Sequence, residues 1–154
     1  MRTTTGNDGE IRPIAAAVIR ARGRILVWDD HDPKTGEVVA VPVAGGIEFG
    51  ETGAEAVARE VREELGVAAK EARFLGLIED VFEWNGEKRH ELHLIFDVVL
   101  EGQAVYAADE VEIVEDDGVR YAARWRALSE FDGGARLVPT GLRELIAAAE
   151  AAEH

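Results

Sequence analysis

The chain has 154 residues, 47% of them hydrophobic, which suits one domain with a sizeable core. It carries 17 basic against 31 acidic residues, a net charge of −14, and no cysteine. That balance repels a nucleic-acid duplex and excludes disulfides and thiolate metal sites. With no apolar run of about 18 residues, no membrane span is expected.

Residues 1–12 are polar, hold no apolar signal-peptide core, and read as a flexible lead-in to a single domain over 13–154. A cytoplasmic protein is expected. Ile14 to Ile19 is compatible with a strand, although its three alanines weaken the signal. Ala21-Arg22-Gly23-Arg24 reads as a turn and Ile25 to Trp28 as the returning strand. Asp29 to Glu37, with Pro33 and Gly36, reads as a loop, and Val38 to Val43 as another short strand. Gly45-Gly46 breaks the pattern ahead of a helix.

Thr52 followed by Glu55 makes a capping box, so the helix is expected to start near Thr52. Ala54, Val57, Ala58, Val61 and Leu65 recur at three- and four-residue steps as one apolar stripe, and Gly66 supplies the stop. Phe74 to Ile78 reads as a strand that extends to Trp84. Asn85-Gly86 is a hairpin signal, and His90 to Leu100 is the long return. Val111 to Val114 and Val119 to Trp125 flank the turn Asp116-Asp117-Gly118. Pro139-Thr140 opens a last helix with Leu142, Leu145 and Ile146 on one side. Mixed strands with two helices predict layers of helix, sheet and helix.

The opposite face of the first helix carries Glu60, Glu63 and Glu64. Spacings of three and four place these side chains together, where like charges destabilise a helix. Glu63 and Glu64 also lie toward its C-terminal end, where the macrodipole disfavours anions. A bound cation offsets both penalties, and oxygen ligands suit Mg²⁺ or Mn²⁺ better than zinc. Taken alone, the three glutamates read rather as a solvated acidic face laced to Arg59 and Arg62, since charge runs are usually solvated.

The wider segment separates these readings. From Gly45 the chain runs five residues to Glu51, seven more to Arg59, and on through Glu60-Val61-Arg62-Glu63-Glu64-Leu65-Gly66-Val67. This resembles the Nudix box at every specified position. Seven fixed matches arise by chance on the order of once in 10⁷ frames at average composition. The one departure is Ala44, where many members have proline before the two glycines. The resemblance implies an α+β fold, a Nudix-type α/β/α sandwich with a mixed β-sheet, and a loop–helix–loop over 45–67. It implies a Mg²⁺- or Mn²⁺-dependent hydrolase of a phosphoanhydride bond in a nucleoside diphosphate linked to another moiety. That substrate class takes in nucleoside triphosphates, nucleotide sugars, ADP-ribose and dinucleoside polyphosphates. Glu60, Glu63 and Glu64 would be the metal-binding and catalytic acids, with a carbonyl near Gly45 beside them. Glu51 and Arg59 would pair and orient the ligands.

Outside the box, Asp109, Glu110, Glu112, Glu115, Asp116 and Asp117 are candidates for a further ligand or the general base. Phe82 and Trp84, flanking an acidic hairpin, could stack a base or pack in the core. Glu91 could serve the site or pair across strands. Trp28 reads as core. The expected partner is a small nucleotide. Many members of the family are homodimers, but no interface is legible here. The competing class, a Nudix-fold nucleotide-binding or regulatory module without turnover, would be favoured by loss of a box glutamate, and all three are present.

Overall fold

Strand β1 (Ile11–Val18) lies at the centre of the protein, and its alanines explain why. In the computed structural model, which describes residues 9–153, Ala15 and Ala17 face one apolar cluster while Ala16 and Val18 face another. A strand buried on both faces reads as a continuous apolar run, and small side chains let helices approach closely. Tertiary packing therefore overrides the weak strand propensity of alanine. The strand also takes in Ile11 and Arg12, two residues assigned above to the lead-in. Of that segment, residues 1–8 lie outside the described residues.

After β2 (Arg20–Ala21), a tight turn with Arg22 and Gly23 both at positive φ leads into β3 (Arg24–His31). Strand β3 runs three residues past Trp28 into the expected loop, because β4 (Val38–Val41) pairs with it as far as His31. The expected strand Val38 to Val43 divides at Pro42. Its second part, β5 (Val43–Gly46), leaves β4 and pairs with β1. Gly45-Gly46 is thus the end of a strand, opposite Ala15 and Ile14, before the chain turns into α1 (Gly53–Leu65).

Strands β6 (Ala69–Trp84) and β7 (Glu87–Leu100) form a long hairpin, turned at Asn85-Gly86 with both residues at positive φ. Strand β7 runs parallel to β1, giving a mixed four-stranded sheet β5-β1-β7-β6. Then follow α2 (Ala104–Ala107), β8 (Glu110–Val114), β9 (Arg120–Ala127), a 3₁₀ turn, β10 (Arg136–Leu137) and α3 (Leu142–Ala152). The second sheet has the order β10-β4-β3-β9-β8, with β2 on β3. Helix α1 packs on one side through Val57 and Val61, and α3 on the other through Leu142 and Ile146. The expected sandwich of helix, sheet and helix is the one observed. No described helix is long and apolar enough to cross a membrane.

Candidate active site

Helix α1 is fixed at both ends by its own sequence. Thr52 Oγ1 accepts from the Glu55 amide at 3.1 Å, and the Glu55 carboxylate accepts from the Thr52 amide at 2.9 Å. Gly66 adopts φ 73° and its amide donates to the Arg62 carbonyl. Between these caps the buried stripe is Ala56, Val57, Glu60, Val61 and Glu64. The expected stripe is therefore corrected: Ala54 is exposed, and two of the three glutamates face inward. Glu60 is 3% and Glu64 2% exposed, while Glu63 points to solvent.

Both oxygens of Glu64 are buried and meet no hydrogen-bond donor among the described residues. Its neighbour is a second carboxylate, Glu60. Burying an unpaired carboxylate costs several kcal/mol, so an arrangement of this kind needs a counter-charge. The cost shows in the titration of the cluster. Burial raises the Glu64 carboxyl well above the usual range, and the charges of Glu115 and Glu60 raise it further. Burial raises Glu60 too, against the pull of Arg59. Glu115, half-buried at the end of β8, is pushed up to about 7 by burial and by the charges of Asp116 and Glu60.

Gly45 presses directly on Glu60, and a Cβ at that position would overlap its carboxylate. Arg59 ties the preceding loop to the helix. Its Nε and Nη2 donate to the two oxygens of Glu51 at 2.8 and 2.9 Å, and Nη2 also donates to the Gly46 carbonyl at 2.9 Å. Nη1 donates to Glu60 Oε1 at 2.9 Å and to Glu63 Oε2 at 3.3 Å. The guanidinium holds the Glu51 carboxyl down to about 2. One planar fork thus sets the positions of Glu51, the glycine strand and the Glu60 carboxylate together.

The late loops contribute one more acid at close range. Asp116, in the turn between β8 and β9, brings a carboxylate oxygen within 4.8 Å of ligand atoms on Glu60 and Glu63. Among the described residues these three acids come close enough to share an ion, and Glu64 sits beside Glu60. The sequence names Asp116 only as one of six equivalent candidates. Its position depends on β8 packing near α1, which no local pattern reveals.

A cleft opens beside the acids. Its walls include Trp28, Val41, Pro42 and Pro139, and Glu115 and Asp116 border it. Glu91 and His93 also line it, each 5% exposed, with Glu91 Oε1 2.9 Å from His93 Nε2. Phe82 and Trp84 do not line it. Trp84 is 3% exposed in the core and Phe82 packs half-buried against the same core. The reason is the docked hairpin tip: Asp32 accepts from the amides of Lys34, at 2.8 Å, and Asn85, at 3.1 Å. That contact closes the hairpin over its own aromatics. The sequence reading missed His93, although the two-residue step from Glu91 puts both on one face of β7. Arg12, at the end of the expected lead-in, also lines the cleft, which the sequence reading did not foresee.

The NUDIX domain family matches residues 10–148, and the chain belongs to that family of pyrophosphohydrolases. Among solved structures, the chain resembles a MutT NUDIX hydrolase from Burkholderia pseudomallei at 27% identity. The match covers 89% of this chain and 97% of that one, with a TM-score of 0.63. The ORF135 protein of E. coli shares the fold at 22% identity, 93% coverage of each chain and a TM-score of 0.66. A MutT protein from Methanosarcina mazei does so at 20% identity, with 96% and 99% coverage and a TM-score of 0.60. No curated protein matches the sequence.

Proposed function

We propose that the protein hydrolyses a phosphoanhydride bond of a nucleoside diphosphate linked to a further moiety, with Mg²⁺ or Mn²⁺ as cofactor. The observation that carries this reading is Glu64, whose two buried oxygens meet no donor among the described residues and lie against Glu60. An all-oxygen set with a buried, uncompensated negative charge fits a hard divalent cation. Glu60, Glu63, Glu64 and Asp116 would hold it, with the Gly45 carbonyl beside them. When bound, the cation neutralises the diphosphate, polarises the phosphoryl group and acidifies water.

The protein's own groups do the rest. Arg59 fixes the Glu60 carboxylate and so the geometry of the acids. Glu115 borders the cleft next to Asp116 and is placed to accept the proton of the attacking water. The cleft would take the nucleoside end of the substrate, its apolar walls receiving the base and Glu91 with His93 supplying polar contacts.

The test is a panel of nucleoside triphosphates, nucleotide sugars, ADP-ribose and dinucleoside polyphosphates, with released monophosphate read by chromatography. Turnover of at least one class with Mg²⁺ and none with chelator is expected. Full turnover in chelator would falsify the metal reading, and no turnover of any class would overturn the reaction.

A further inference from the structure

Two recesses meet at the acids. One is the cleft just described. The other is a groove along Gly46, Glu48, Glu60 and Glu63. Arg12 and Asp116 line both. A substrate with its nucleoside in the cleft and its phosphates over the groove would cross the junction that these two side chains line.

That passage carries a charge problem. The recesses are bordered by Glu48, Glu60, Glu63, Glu91, Glu115 and Asp116, and a diphosphate is itself an anion. Among the described residues lining either recess, the arginine and lysine side chains are Arg12 and Arg59 alone. Arg59 lines the groove only, on the side of Glu60 and Glu63, and does not border the cleft. Arg12 stands at the junction itself, on a strand paired to β7 with Glu91 opposite.

The second glycine of the strand accounts for its placement. A Cβ on Gly46 would come within 2.9 Å of Arg12 Nη2. The two glycines therefore serve two different side chains: Gly45 gives room to the Glu60 carboxylate and Gly46 to the Arg12 guanidinium. From this junction we propose that Arg12 binds a phosphate group of the substrate between the cleft and the metal-binding acids. This assignment rests on the hydrolase reading above. A guanidinium presents a planar donor fork that matches two phosphate oxygens, whereas an ammonium offers only a point charge.

The experiment compares wild type, Arg12→Gln and Arg12→Lys by calorimetric titration with inorganic pyrophosphate in Mg²⁺ buffer. Steady-state kinetics on the best substrate of the panel run in parallel, with thermal melts to establish folding. Loss of a charge-assisted contact predicts that Arg12→Gln weakens pyrophosphate about tenfold or more. KM should rise by a similar factor with kcat within about threefold, and Arg12→Lys should recover part of both. Unchanged affinity in a folded Arg12→Gln protein overturns the assignment. So does a fall in kcat alone, or a wild type that does not bind pyrophosphate. If Arg12→Gln does not fold, Arg12→Lys decides: a threefold to tenfold loss supports the fork, and wild-type affinity overturns it. A wild type that binds pyrophosphate through Arg12 but turns over no substrate would sink the hydrolase reading and leave this one standing.

Discussion

Replacing Glu64 by glutamine should stabilise the protein without metal and destabilise it, relative to wild type, with metal. Glu64 is 2% exposed and neither oxygen has a donor among the described residues. Near pH 8 its unfolded form is ionised, while burial holds the folded carboxyl toward the neutral form. An uncompensated buried carboxylate costs about 3 kcal/mol in this setting. Glutamine keeps the volume but buries an unpaired amide, which costs about 1–2 kcal/mol. The net gain of about 1–2 kcal/mol corresponds to a rise in Tm of about 3–6 °C for a chain of this size. Mg²⁺ at about 100 times its Kd adds about 2.7 kcal/mol, or roughly 8 °C, to a protein that keeps the site. The variant should gain far less, so the order of the two melts reverses. Thermal melts at pH 8 with chelator plus NaCl, then with Mg²⁺ at matched ionic strength, separate site binding from general screening. The sign with pH is also set. A carboxyl raised by folding has its full stability below the unfolded value and loses it as pH rises, so the chelator gap should close toward pH 4.5. A variant less stable than wild type in chelator, or equal Mg²⁺ shifts in both, would refute the placement of an uncompensated charge at Glu64.

Gly45→Ala must displace the Glu60 carboxylate, so kcat should fall about 10²-fold, whereas Gly46→Ala meets only the end of a flexible arginine and should cost less; steady-state kinetics of the two rank them. Arg59→Lys keeps the charge but loses the paired donors to Glu51, and a 10- to 100-fold fall in activity is expected at unchanged ionic strength dependence. In chelator, Glu115 contributes a fall in stability as pH rises from 4.5 to about 7, because burial raises its folded value. After discounting for its partial exposure, the step is about 2 kcal/mol, and Glu115→Gln should flatten the Tm-against-pH curve over that window.

The parts of the fold legible in the sequence are those fixed by neighbouring residues. Thr52 and Glu55 cap each other three residues apart, and Gly66 and Asn85-Gly86 adopt the backbone their residue types favour. The fork between Glu51 and Arg59 is the pairing that the Nudix resemblance implies, and spacing alone does not supply it. What the pattern could not show depends on partners distant in sequence. Periodicity alone assigned the glutamates to the solvent face of α1, because a buried carboxylate obeys no hydropathy rule. Asp116 reaches Glu60 from a turn more than fifty residues away, and Arg12 reaches Gly46 across a sheet pairing. These are contacts of topology, and their residue types carry no local signal.

Trp84 gives the sharpest case, because its local context favours the wrong reading. An aromatic at the tip of an acidic hairpin suggests a stacking surface, yet the Asp32 contact to the Asn85 amide holds the tip down and leaves Trp84 3% exposed. Trp84→Phe removes buried ring area from the core and nothing from the cleft. It should lower stability by about 1–2 kcal/mol, roughly 3–6 °C in Tm, with KM within twofold. Glu91→Gln does the opposite. It removes the charge that pairs with His93 at the cleft wall, so KM for the preferred substrate should rise about fivefold to tenfold while kcat changes less. Measuring Tm and KM for both variants crosses the two readouts. A Trp84→Phe protein with wild-type Tm and a KM raised as far as that of Glu91→Gln would show that the hairpin opens in solution and that its aromatics do meet the substrate.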